Sequence, residues 1–269
     1  MQTKKIFFTA MLTAALASGV FAKGSTQQTE GSLTIENGVF AVGMAIEYPP
    51  LEYYDADGKT PIGFDVQLAK ALADQLGLKV KYVDTAWDGI FAGLNTGKYD
   101  AVISGVTITP DRIGAHNFTK PYIGNAMTIV LLKDSGVSLT KPEDIAGYRV
   151  CYQAETTANI YADRLAEQGV AFTPFEYDNI MQCFEDLRHG RVDIILVDSL
   201  VASNYVAGDS PFKIVWQGTA DEKFGICLKK GNNALTDALN TALDKLFANG
   251  TMTRISQNIF KQDLVSSVR

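Results

Sequence analysis

A short pattern occurs twice in this chain. A helical stretch ends in Asn95-Thr96-Gly97-Lys98-Tyr99-Asp100 and runs into apolar Ala101-Val102-Ile103; further on, Arg188-His189-Gly190-Arg191-Val192-Asp193 runs into Ile194-Ile195-Leu196. A glycine just past helical periodicity is a stop signal, because glycine alone takes the left-handed conformation there at no steric cost. A short β-branched run bounded by turn residues is a buried strand. Helix, tight turn and buried strand make the second half of a βαβ unit. Having it twice predicts an α/β chain of two lobes of similar plan, each on a mostly parallel sheet. Asp100 and Asp193, at matching places in the two turns, read as structural turn residues.

The remaining periodicity fills in both lobes. Strands are expected at 39–44, 78–83 and 101–103 around helices at 65–76 and 87–95. A second set has strands at 127–132, 148–152, 171–175, 192–197 and 212–215, with helices at 156–168, 179–189 and 200–207. A tail follows, with a strand at 224–228 and helices at 233–248 and 252–262, and nothing in its own sequence assigns it to either lobe. Loops are short and no Pro- or Ser-rich linker separates the sets. The crossings are therefore ordinary extended segments, which make natural hinges.

Residues 1–22 read as a secretory signal peptide: Lys4 and Lys5 form a basic start, an apolar core follows, and Val20-Phe21-Ala22 offers a small-residue cleavage site. The apolar run is short for a membrane span and is broken by Thr9, Thr13, Ser18 and Gly19. The mature protein is thus expected in the periplasm, with 23–30 as a polar leader. A formal net charge of −6 speaks against nucleic-acid binding, which needs a basic footprint. Cys151, Cys183 and Cys227 are an odd number for an oxidising compartment, so at least one thiol is unpaired or pairs between chains. Each sits in an apolar run and reads as a small buried hydrophobe; their spacing fits no metal site. His116 and His189 have neither a nucleophile partner nor a second ligand at metal spacing, and read as surface residues. No metal or cofactor is expected, and the chain is expected to be monomeric.

The chemistry concentrates after the first repeat. Ser104-Gly105-Val106-Thr107-Ile108-Thr109 follows a buried strand and opens into a helix carrying Arg112. Free N–H groups at such a point, with hydroxyls beside them, suit an anionic group, and a guanidinium is a planar fork matched to a carboxylate. Asp198 closes the apolar run 194–197 and stands directly before a helix, which makes it either an N-cap or an acceptor for a cation.

Three segments together resemble the bacterial extracytoplasmic solute-binding proteins of family 3, which deliver polar amino acids to ABC importers. They are Tyr48-Pro49-Pro50-Leu51-Glu52-Tyr53 with Gly63-Phe64-Asp65-Val66-Gln67-Leu68-Ala69; the block from Trp87 to Arg112; and Gly190-Arg191-Val192-Asp193 with Asp198. Gln67 stands where an acidic residue is usual. The resemblance implies a two-lobe, type II periplasmic binding fold with two crossover strands. Residues 31–124 plus 219–269 would form one lobe and 125–218 the other. It also implies roles: Arg112 for a ligand carboxylate with Thr107 and Thr156 or Thr157, Asp198 for the ammonium with Ser104 and Gly105, and Tyr48 and Trp87 about the ligand's side chain. Most relatives have glycine where this chain has Glu155, so Glu155 is expected to narrow the pocket or make it more acidic, with Glu47 as the other acidic candidate. Relatives preferring basic amino acids often carry Asp where Ala45 stands. The partners implied are an amino acid and a membrane permease. The alternative is a secreted enzyme of the cyclohexadienyl dehydratase kind on the same scaffold, which would need a general acid or base in the cleft, a part open to Glu47 or Glu155.

Overall fold

In the computed structural model the structure describes residues 32–268, so the expected signal peptide and leader lie outside the described residues. Two five-stranded sheets organise the chain. In the first, the order is Lys79–Asp84, Val39–Met44, Ala101–Val102, Cys227–Lys229, His116–Phe118. Val39–Met44 pairs in parallel with both of its neighbours, and Cys227–Lys229 enters antiparallel to its two. The tail strand thus joins the first sheet, and helices Asn233–Ala248 and Thr251–Phe260 pack on helix Phe64–Leu76. Their shared core includes Phe40, Val42, Leu68, Leu72, Leu239 and Leu243.

The second sheet has the order Thr173–Tyr177, Arg149–Gln153, Ile194–Asp198, Met127–Leu132, Phe212–Gln217. Its central strands are buried on both faces, and the period of two divides them. Ile129, Val150, Tyr152, Ile194 and Leu196 pack under helix Thr157–Glu167, whereas Val130, Cys151, Ile195 and Val197 pack under helix Ile180–Arg188. Among the described residues no helix is long and apolar enough to cross a membrane.

The repeated turns do the same work in both lobes. Gly97 and Gly190 take left-handed conformations, at φ 77° and 66°. The aspartate three residues on reaches back to the strand that pairs with the one the turn leads into. Asp100 accepts the N–H groups of Ile35 at 2.6 Å and Ala41 at 2.7 Å, and Asp193 accepts that of Arg149 at 2.9 Å. Each helps fix the register between those two parallel strands.

Several expectations are corrected. Cys151 and Cys183 are not separate buried hydrophobes: they form a disulfide joining strand Arg149–Gln153 to helix Ile180–Arg188, and Cys227 is the buried free thiol. The strand expected at 224–228 is two, Glu222–Phe224 and Cys227–Lys229, separated at Gly225, where a Cβ would come within 2.7 Å of Ile108. The helix expected from Trp87 opens as a 3-10 turn, Trp87–Gly89, before helix Ile90–Thr96. His116 is buried rather than exposed, at the start of the short strand His116–Phe118 against Phe91; His189 is exposed. Two antiparallel segments, Ile123–Asn125 and Glu222–Phe224, run side by side between the sheets as a two-stranded ladder.

Candidate functional site

The carboxyl ends of the two central strands face each other across one cavity. The first sheet contributes Ser104, Gly105 and Thr107, which follow strand Ala101–Val102 in irregular conformation. Gly105 has φ 57°, and a Cβ there would meet Leu51 at 3.1 Å and Tyr48 at 3.4 Å, so glycine both adopts the turn and admits its neighbours. Thr109 then caps helix Pro110–Ala115 through the Arg112 N–H, which sets Arg112 on the cavity wall. The second sheet contributes Asp198 from the end of its strand, and Gln153, Thr156 and Thr157 from the strand-to-helix turn where Thr156 is the N-cap.

The charged groups are held in place by their own networks. Arg112 is largely shielded from solvent, and its guanidinium donates to two backbone carbonyls, Thr107 at 3.1 Å and Glu155 at 3.3 Å. It also lies over the rings of Trp87 and Phe91, at 5.5 and 5.3 Å. Asp198 makes no capping hydrogen bond to the helix it precedes, which settles the N-cap reading against its side chain. Its oxygens accept from the Tyr48 hydroxyl and the Asn125 amide, each at 2.6 Å. Burial raises the Asp198 carboxyl above its ordinary range, opposed by these two hydrogen bonds and by Arg112.

Beneath the floor lies a second pair of carboxyls. Ser104 donates to Glu52 at 2.6 Å, and the Gly105 N–H and the Tyr122 hydroxyl donate to Asp65 at 2.8 and 2.9 Å. Burial raises both carboxyls, and each feels the other: Asp65 is raised to about 6 and Glu52 well above its usual range. Glu52 Oε2 and Asp65 Oδ1 have no hydrogen-bond partner among the described residues. The other oxygens of the pair hold the Ser104-Gly105 turn through the Ser104 hydroxyl and the Gly105 N–H.

The profile of the bacterial extracellular solute-binding proteins, family 3, matches residues 40–262. The chain belongs to that family. ABC transporter arginine-binding protein 1 of Escherichia coli (strain K12) is 32% identical over 225 residues, covering 82% of this chain and 90% of the relative. L-cystine-binding protein TcyJ of the same organism is 29% identical over 255 residues, covering 94% of each. Among solved structures, an ancestral arginine-binding protein bound to arginine superimposes with a TM-score of 0.79 at 34% identity, covering 83% of this chain and 98% of that one. The fold is accordingly the two-lobe α/β type II periplasmic binding fold, and the function is that of an ABC-transporter solute-binding protein for a polar amino acid.

As a member of the family, the chain brings Glu47, Tyr48, Trp87, Ser104, Gly105, Thr107, Arg112, Thr156, Thr157 and Asp198 to one cavity. Glu155 is placed differently from the expectation. Its side chain is exposed and does not line the cavity; its carbonyl accepts from the Trp87 indole at 3.2 Å and from Arg112. Glu155 has φ 58°, a left-handed conformation that glycine would adopt without strain. The Gly105 N–H is committed to Asp65, which leaves its carbonyl oxygen as the atom able to accept from an ammonium. The lining residues that sequence reasoning did not place in the site are Ala45, Glu52 and Gln153. Glu52 sits inside the Tyr48 to Tyr53 motif, and its position four residues from Tyr48 was the available signal.

Proposed function

We propose that this chain binds its amino acid by the zwitterionic part, with Arg112 and Thr107 taking the α-carboxylate, Thr156 or Thr157 assisting from the other lobe, and Asp198 taking the ammonium. The side chain lies between Tyr48 and Trp87. The observation that carries this is Arg112 itself: a shielded guanidinium on the cavity wall whose protein hydrogen bonds go to carbonyls, with no carboxylate of the described residues in ion-pair range. A buried cation in that setting calls for an anion, and a ligand carboxylate supplies it bidentately. Arginine and cystine, the ligands named for the relatives, share this zwitterionic part. Glu47, raised by burial and then by Asp84 and Asp178, gives the far end of the cavity an acidic character that favours a cationic or polar side chain.

Residues 31–124 plus 219–269 and residues 125–218 act as the two closing bodies. The liganded, closed form is what a membrane permease receives at the periplasmic face, and no bond is broken in the ligand. A thermal-shift screen of the common amino acids and cystine tests this: a ligand at ~100 times its dissociation constant adds ~2.7 kcal/mol of stability. Absence of any shift, with turnover of added prephenate or arogenate, would replace this reading with the dehydratase one.

A further inference from the structure

Asn125 and Glu222 sit directly opposite each other in the ladder between the sheets. The Asn125 amide nitrogen has two hydrogens, and both go to carboxyls: Asp198 at 2.6 Å and Glu222 at 2.7 Å. The Ser199 hydroxyl donates to the Asn125 carbonyl oxygen at 3.1 Å, which fixes the sense of the amide. One side chain in the first crossing therefore clamps a carboxyl of the cavity to a carboxyl of the second crossing.

We propose that Glu222 is a positioning residue whose protonation is linked to lobe closure, the proton favouring the closed form and its loss favouring the open one. The groups facing Glu222 make the case. Asp198 is bridged to it through the Asn125 amide, Asp221 precedes it, Thr157 faces it from the second lobe across the groove both line, and Arg112 is the cation nearby, shared with Asp198. Burial and then Asp198 raise the Glu222 carboxyl to about 7. Glu222 is half-buried and lines an interlobe groove together with Thr107 of the first lobe and Thr157 of the second, so parting the lobes gives it more water. In the open form its affinity for the proton falls toward that of an ordinary carboxyl. The closed form thus binds the proton more tightly: its advantage is full below the ordinary carboxyl range and is lost as pH rises through about 7. Resting on the assignment of the ligand ammonium to Asp198, the linkage has a second consequence: the ammonium supplies positive charge beside Asp198, so Glu222 holds its proton less tightly in the liganded closed form than in the unliganded one.

The test uses the full chain freed of ligand by unfolding, dialysis and refolding, with the radius of gyration followed by X-ray scattering from about pH 5 to about pH 9. The wild type should expand as pH rises through neutrality, while Glu222→Gln, which keeps an acceptor for Asn125 but cannot ionise, should stay compact and flat. A flat wild-type curve, or the same pH response in Glu222→Gln, overturns the proposal. Carbon-detected titration of the Glu222 carboxyl in the wild type gives a second reading that needs no variant: titration near neutrality supports the linkage, and an ordinary carboxyl value overturns it. The ammonium assignment fails separately, if Asp198→Asn binds amino acid as well as the wild type.

Discussion

The two lobes share a strand clamp but end the clamped central strand differently. In the first lobe, strand Ala101–Val102 gives way to an irregular turn whose Ser104 and Gly105 are drawn down onto the Glu52–Asp65 carboxyl pair, and the helix that follows presents a cation, Arg112. In the second, strand Ile194–Asp198 passes straight into helix Ser199–Tyr205 and presents an anion, Asp198, free of capping duty. One plan, used twice, places opposite charges on the two walls of one cavity. On the proposed binding mode a zwitterion would satisfy both walls only with the lobes together, and that differential contact would shift an open–closed equilibrium.

The lobes also differ in how they are held together. The first gathers the two C-terminal helices onto its core, while the second is smaller and has the Cys151–Cys183 bridge, which spans a sequence separation of 32. Closing a loop of that length removes about 3.5 kcal/mol of unfolded-state entropy. Reduction, or Cys151→Ser with Cys183→Ser, should therefore unfold the second lobe first. Hydrogen exchange should show lost protection in strand Arg149–Gln153 and helix Ile180–Arg188, with Val39–Met44 unaffected. Equal loss in both lobes would mean that they unfold as one unit and that the contrast has no energetic content.

The charge contrast is broken by single substitutions. Arg112→Ala and Asp198→Ala should each weaken amino-acid binding by at least about 2 kcal/mol, since each leaves a ligand charge buried without its partner. Calorimetry is the measurement, and wild-type affinity in either variant removes that residue from the site. The two losses should also be coupled in the double variant, because without one wall the ligand no longer bridges the lobes.

The order of strands and helices is legible in the sequence because both sheets are buried and the turns between them use strong stop signals such as Gly97 and Gly190. The site is legible to the extent that its residues sit at strand ends inside recognisable motifs, as Arg112 and Asp198 do. What escapes is whatever depends on packing between distant segments. Cys151 and Cys183 lie in apolar runs that read as plain core, and only the docking of helix on strand pairs them. Asn125 and Glu222 belong to no motif and become neighbours through the ladder alone. Glu155 misleads for a different reason: its side chain suggests a pocket residue, but the site uses its backbone carbonyl.

The strand clamps allow a finer comparison. Asp100 is buried and answers two backbone N–H groups, whereas the Asp193 side chain is 28% exposed and also pairs with the Arg149 guanidinium at 2.6 Å. Water can take over part of the second role but little of the first. Asp100→Ala should cost about 2 kcal/mol of stability and Asp193→Ala about 1 kcal/mol, measured by denaturant unfolding. The reverse order would show that the Arg149 pairing, and not burial of the N–H groups, sets the strength of the clamp.

The smallest effect concerns an uncharged side chain that joins the lobes. Trp87 belongs to the first lobe, but its indole donates to the Glu155 carbonyl of the second and its ring lies 5.5 Å from the Arg112 guanidinium. It therefore lines the cavity and also bonds across it to the other lobe. One aromatic face with one hydrogen bond amounts to ~0.5 to 1.5 kcal/mol. Trp216 stacks near Tyr161 in the second lobe, so a Trp216→Phe protein leaves Trp87 as the tryptophan reporter. In that protein the emission should shift on ligand binding, since closure forms the Glu155 contact. Trp87→Leu should weaken cationic or aromatic amino acids more than small polar ones if the ring meets the side chain. A uniform loss for every ligand would make Trp87 a closure contact alone, and a silent emission in a protein that still binds would take it out of the interface between the lobes.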